Sequence, residues 1–184
     1  MADDLIERAR AGDPDAWREL YESLTGRLLV WLRTRPSGDV VTSAEDLAAE
    51  SWLVAARSIA DFEGDRDAFA GWLFGIARNQ AVNARRRALR RHTDPTLATD
   101  DAAVWGSYDG PAEGVAGLDW TRWALAQLPP RESEVLASME VAGLDAAQTA
   151  TALGVSVTAV RVARHRGLAR LRRLPVVVPS DVVR

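Results

Sequence analysis

Apolar residues recur along this chain at helical spacing rather than in strand-like alternation. Trp17, Leu20, Tyr21, Leu24, Leu28, Trp31 and Leu32 trace one amphipathic face. Asp13-Pro14 opens that helix as N-cap and first-turn proline, and Pro36-Ser37-Gly38 closes it. A second helix starts at Ser43, with Asp46 three residues on in a capping-box position, and runs to about Ala60. Asp46, Glu50, Leu53 and Arg57 share one of its faces, whereas Leu47, Trp52 and Ala55 lie elsewhere for packing. A short acidic loop, 61–67, contains Phe62 and Gly64 and leads into a third helix. There Phe69, Trp72, Leu73 and Ile76 recur at i, i+3, i+4 and i+7. The same face continues as Gln80, Asn83 and Arg87, so a packing stripe turns polar and cationic without leaving the helix.

The pattern breaks at residues 93–118, which are rich in Gly, Pro, Asp and Ala and show no period. They are expected to form a flexible linker. Helical spacing resumes with Trp120, Trp123, Ala124 and Leu128 and stops at Pro129-Pro130. Another helix carries Val135, Leu136 and Met139 and ends at Gly143. From Asp145 to Arg166 the spacing is that of a helix-turn-helix. Ala150 is small enough for two crossing helices to approach, and Gly154 permits the positive φ of a tight turn. Leu153, Val155 and Val160 anchor the turn, and Ser156 can cap the second helix. The expected architecture is all-α: a helical domain over 1–92, a linker over 93–118, a helix-turn-helix domain over 119–174, and a frayed tail over 175–184.

Composition narrows the function. The chain has 184 residues, no cysteine and a net charge of −3. Absence of cysteine removes disulfides and thiolate zinc sites, and fits a reducing cytosol. His92 and His165 are too far apart in sequence to suggest a metal site. No apolar run is long enough to span a bilayer, and the acidic N-terminus lacks a signal-peptide pattern. A cytoplasmic protein without membrane insertion is the expectation. Glycine-rich phosphate loops, nucleophile elbows and metal-spaced ligands are all missing, so neither an enzyme nor a cofactor is expected.

The modest net charge hides its distribution. Arg85 to Arg91 holds five arginines and no acid, and Val157 to Arg173 holds six and no acid. Between them, Asp94 to Leu118 carries five carboxylates and no base. Two cationic patches around an acidic connector suit a two-point nucleic-acid contact. Amides on the third helix suit base edges and guanidiniums suit phosphates. The N-terminal residues of the helix after Gly154 would enter a major groove, with Arg161, Arg164, His165 and Arg166 on or beside its outward surface. Bland readings compete with these. Six of the seven tryptophans lie in amphipathic helices and suit a core, while Trp105 in the linker could touch a partner. Phe62 suits a base pocket or a core anchor equally.

Both halves together resemble a bacterial RNA polymerase sigma factor of the extracytoplasmic-function group in the sigma-70 family. The first half carries Ala44-Glu45-Asp46-Leu47 with Glu50, then Phe69, Trp72-Leu73, Ile76-Ala77-Arg78-Asn79 and Arg85-Arg86-Arg87. The second carries Leu128-Pro129-Pro130-Arg131, Glu134-Val135-Leu136, Ala142-Gly143-Leu144, the turn, Ala159-Val160-Arg161 and His165-Arg166. The resemblance implies sigma regions 2 and 4, without the intermediate domain of larger members. It implies that Asp46, Leu47, Glu50 and Leu53 dock on core RNA polymerase, at the clamp of its largest subunit, with the flap as a further contact. Phe62 in its loop, Arg78, Asn79, Asn83, Arg85 and Arg86 would hold a melted −10 element of promoter DNA. Ser156, Thr158, Arg161, Arg164 and His165 would serve the −35 element. An inhibitory anti-sigma factor is a further implied partner. Asn83 stands where members commonly carry aspartate, Gln80 and Arg85 replace frequent apolar residues, and Ala163 occupies a position often polar or basic. Two other classes remain open on the residues alone. A stand-alone helix-turn-helix regulator would footprint duplex DNA without polymerase, and a protein-only adaptor would show no salt-dependent nucleic-acid binding.

Overall fold

A computed structural model describes residues 3–35, 42–91 and 116–174. All regular structure among them is helical. Helix α1 spans Asp3–Arg10, α2 Pro14–Arg33, α3 Ala44–Ser58 and α4 Arg66–Arg91, with a single 3-10 turn at Ile59–Asp61 after α3. Then follow α5 Ala116–Ala126, α6 Pro130–Leu136 continued by a π-helical turn Ala137–Val141, α7 Ala146–Leu153 and α8 Val157–Leu171. The linker and tail inferred from sequence lie mostly outside the described residues. Residues 116–118, however, belong to α5 rather than to the linker, because their helix continues without interruption into the Trp120 face.

Local signals set the helix starts. Asp13 caps α2, its Oδ1 accepting from the N–H of Asp15 at 2.9 Å. Ser43 and Asp46 close the expected capping box on α3: Ser43 Oγ accepts from Asp46 N at 3.0 Å and Asp46 Oδ2 from Ser43 N at 3.2 Å. Helix α1 is too short for periodicity alone to reveal it. It is held by Leu5, Ile6 and Ala9, all buried, and by Trp17 Nε1, which donates to the Ala9 carbonyl at 2.9 Å.

The core of the N-terminal helices is aromatic. Phe62 meets Phe69 edge-on at 5.6 Å and Trp72 at 4.9 Å, while Trp31 meets Phe74 edge-on at 5.2 Å. Such pairs add about 0.5–1.5 kcal/mol each beyond the area they bury. The helix-turn-helix has its own small core of Val135, Ala150, Val160 and Ala163. Gly154 takes φ +64, the left-handed turn anticipated at that position.

The two halves do not stand apart. Leu125, Leu128, Leu136, Ala137, Ala142, Leu144 and Ala152 join the same apolar cluster as Leu28, Trp31 and Phe74. The most extensive helix pairing in the described structure is α4 against α7. Gly71 makes that approach possible: a Cβ there would come within 2.7 Å of the Gln148 carbonyl oxygen and 2.9 Å of its Cα. Polar ties cross the same boundary. Arg27 donates to the carbonyls of Ala142 and Gly143, both at 2.7 Å, and Gln148 Nε2 to that of Asp67 at 3.1 Å. Arg122 donates to the Arg33 carbonyl at 2.6 Å.

Candidate nucleic-acid interface

Helix α4 carries the first surface. Asn79, Asn83, Arg86 and Arg87 are exposed along its C-terminal half, and Arg87 Nε folds back to the Asn83 carbonyl at 3.3 Å. Arg85 is half-buried, and burial pushes its guanidinium below the ordinary arginine value. Gln80 is partly buried.

Arg78 turns the other way. Its Nε donates to Glu134 Oε1 at 2.9 Å and its Nη2 to Glu134 Oε2 at 3.3 Å. Glu134 Oε1 also accepts from Arg35 Nη2 at 3.2 Å. Side-chain exposures of 3% for Arg35, 10% for Glu134 and 17% for Arg78 make this a largely desolvated triad. Arg35 further lies over the Trp31 ring, 4.0 Å from its centroid. Burial pushes the Arg35 guanidinium down to about 10; Glu134 opposes that shift and Arg78 adds to it. Arg35 therefore remains a cation at neutral pH. Sequence reasoning included Arg78 and missed its partners. Helical periodicity reports which face of a helix is buried, not which distant charge meets it there.

The loop residue Phe62 belongs to the core. It is 5% exposed and wedged between Phe69 and Trp72, so its ring offers no face to a base in this arrangement. The base-pocket expectation is corrected accordingly: Phe62 anchors the loop. Arg10 supports it from outside, donating to the Ile59 carbonyl at 3.3 Å and to the Phe62 carbonyl.

The second surface is the helix-turn-helix. Asp145 Oδ1 accepts from Ala147 N at 2.7 Å and Gln148 N at 2.8 Å, while Gln148 Oε1 accepts from Asp145 N at 3.0 Å. That capping box fixes α7. Ser156 Oγ accepts from Ala159 N at 3.2 Å, so this hydroxyl is engaged in starting α8. Thr158, Arg161, Arg164, His165 and Arg166 are exposed along α8. Arg164 Nε already pairs with Glu140 at 2.7 Å. Ala163 packs inward against the small core, which removes its side chain from the groove-facing surface.

On α3, Glu50 is exposed and Leu53 is 44% exposed. Asp46 is exposed too, although its Oδ2 is engaged by Ser43. Leu47 differs: at 8% exposure it packs in the core, so its inclusion in a docking face is corrected. Among the described residues, no group of three or more His, Asp or Glu side chains comes together to hold a metal ion. No described helix is long and apolar enough to cross a membrane. Trp105 and His92 lie outside the described residues.

Comparison with known proteins places both surfaces in a family context. Residues 20–91 match the model of sigma-70 region 2, and residues 120–171 that of sigma-70 region 4. The chain is 32% identical to the ECF RNA polymerase sigma factor ShbA of Streptomyces griseus, with 92% of this chain and 93% of that protein aligned. It is 33% identical to the ECF RNA polymerase sigma factor SigD of Mycobacterium tuberculosis, over 92% of this chain and 82% of the relative. Among solved structures it resembles CnrH in complex with the cytosolic domain of CnrY, at TM-score 0.66 and 24% identity, covering 94% of this chain and 96% of that one. It also resembles the sigma factor RpoE in complex with the anti-sigma factor NepR from Bartonella quintana, at TM-score 0.61 and 22% identity, over 86% and 94% of the two chains. At such identities the structural likeness establishes the fold.

Proposed function

The chain belongs to the extracytoplasmic-function group of the sigma-70 family, and we propose that its two cationic surfaces divide the work of promoter recognition between them. As a sigma factor it binds core RNA polymerase and directs initiation at specific promoters. The observation that carries the division of labour is the simultaneous exposure of Arg161, His165 and Arg166 on α8 and of Asn79, Asn83 and Arg86 on α4. Helix α8 follows a left-handed turn at Gly154, which aims its N-terminal half outward for a −35 major groove. Helix α4, with Arg78 and Arg85, serves a melted −10 strand, where amides meet base edges and guanidiniums meet phosphates.

Promoter opening by this route requires no covalent step and no cofactor. It requires a surface that binds unpaired bases better than stacked ones, recovering the few kcal/mol spent on unstacking. Glu50 and Leu53 on α3, with Asp46 at its start, dock on the clamp of the largest polymerase subunit, and the α5–α8 module meets the flap. An anti-sigma protein that covers these faces would silence the chain in the cytoplasm. A stand-alone regulator is less favoured, since both matched segments are sigma regions in sigma order.

Co-purification with core polymerase, followed by binding to a fork-junction promoter template, tests the reading. Template binding should depend on core enzyme. Tight, sequence-specific duplex binding by the chain alone would overturn it.

A further inference from the structure

Helix α1 lies outside the segment 20–91 that matches sigma-70 region 2, yet its last residue reaches the loop that precedes α4. One edge of the Arg10 guanidinium meets two main-chain carbonyls: Nε donates to that of Ile59 at 3.3 Å and Nη2 to that of Phe62. Its remaining nitrogen, Nη1, is ion-paired with Glu7, and the fork is part-buried where it meets the carbonyls. The root of the side chain is fixed too, because Leu5, Ile6 and Ala9 are buried and Trp17 Nε1 holds the Ala9 carbonyl. The loop has a physical need for such support. Asp61, Glu63, Asp65 and Asp67 are all exposed along it and repel one another. Gly64 sits at φ +147, and a Cβ there would come within 2.8 Å of the Ala68 Cβ. Downstream, Asp65 Oδ1 accepts from Ala68 N at 2.8 Å, and Arg66 Nη1 pairs with Glu19 at 2.6 Å. That last pair is exposed, and exposed pairs contribute little. Upstream, the Phe62 ring and the Arg10 fork hold the backbone.

We infer that Arg10 is a positioning residue for recognition of the melted −10 strand: it fixes the backbone at 59–62 from behind, and with it the aim of the exposed acceptors at 63–67. This rests on the sigma-factor reading above. A loop with four carboxylates repels phosphates, so what it offers an unpaired strand is acceptors for the amino groups of base edges. Such acceptors discriminate between bases only while their backbone is held, and a loop ordered in advance loses less entropy when the strand binds. Arg10 itself touches neither base nor phosphate in this role. The planar fork matters more than the charge, since one edge spans two carbonyls three residues apart.

Holoenzyme assembled from core polymerase and the full chain tests this on two single-stranded oligonucleotides. One carries the −10 element of a promoter that wild type selects, and the other the same bases scrambled. Arg10→Ala should weaken binding of the −10 strand about tenfold, the scale of one lost hydrogen bond to a charged group. Binding of the scrambled strand and affinity for core enzyme should stay at wild-type levels. The salt dependence should also be unchanged, whereas loss of a direct phosphate contact would lower its slope by about 0.7 on a single strand. Arg10→Lys should restore little, because lysine supplies a point charge without the fork. Undiminished discrimination in Arg10→Ala, a lowered salt slope, full rescue by lysine, or an equal loss of core affinity overturns the positioning role. A wild-type chain that selects no promoter with core overturns the sigma-factor reading, and the role of Arg10 with it.

Discussion

Glu134 on α6 accepts from both Nε and Nη2 of Arg78 on α4, tying a helix of the C-terminal module to one of the N-terminal module. The same carboxylate is the counter-charge of Arg35, whose side chain is almost fully enclosed. Removing one partner of a buried pair leaves the other charge uncompensated, at a cost of about 3–5 kcal/mol. Glu134→Ala should therefore lower the unfolding free energy by about that amount. Arg78→Ala removes the more exposed partner and leaves the Arg35–Glu134 pair, so it should cost less than half as much. Urea unfolding followed by tryptophan fluorescence compares them, with Trp31 directly beneath Arg35. Equal losses would contradict this account of the triad.

The −35 surface makes a prediction about salt. Each phosphate contact contributes a slope of about −0.9 to the dependence of log affinity on log salt concentration. Arg161→Ala should reduce the slope for holoenzyme on a −35-dependent promoter by about that much and weaken transcription, with core binding intact. Arg164 is already paired with Glu140, so Arg164→Ala should weaken transcription by less. Unchanged slope and unchanged transcript in both variants would remove α8 from the −35 contact.

Leu47 and Leu53 separate stability from docking on one helix. Leu47→Ala empties a core site and should cost about 2–5 kcal/mol of stability. Leu53→Ala should leave stability within about 0.5 kcal/mol and weaken affinity for core polymerase roughly tenfold, in line with the apolar burial a docked leucine would gain. Glu50→Arg should likewise impair core association first. Titration of labelled chain against core enzyme decides this, and normal affinity in both surface variants would move the docking face elsewhere.

Arg8 beside Asp13, together with the N–H groups of Asp15 and Ala16, holds the Asp13 carboxyl below its ordinary value of 3.8. A folded value below the unfolded one stabilises the fold fully above the unfolded value, and that stabilisation is lost as pH falls through the folded value. Asp13→Asn keeps the capping oxygen and removes the charge. The advantage of wild type over this variant should be constant above about pH 5 and shrink in acid, measured as urea midpoints between neutral and strongly acidic buffer. An advantage that grew in acid would contradict the assignment.

Much of this was legible in the residues, for local reasons. The Asp13 cap, the Ser43–Asp46 capping box and the Gly154 turn depend on neighbours within a few positions, and each forms where spacing indicated. The exposed arginines of α8 were equally readable, since charge on the far side of a packed stripe can only face outward. What depends on remote partners was not. Phe62 is a core residue because Phe69 and Trp72 close over it; Leu47 packs where its helical phase put it, and only the family resemblance had set it on the docking face. Arg78 has the composition of a nucleic-acid contact and the surroundings of a buried ion pair. Only the fold of the second module across the first distinguishes them.

The most direct test of promoter recognition by this chain is transcription from a fragmented genomic library, using purified core polymerase with and without the chain, with transcript starts mapped. Addition of the chain should produce discrete start sites that share two upstream elements at constant separation. Transcripts indistinguishable from those of core enzyme alone would contradict it.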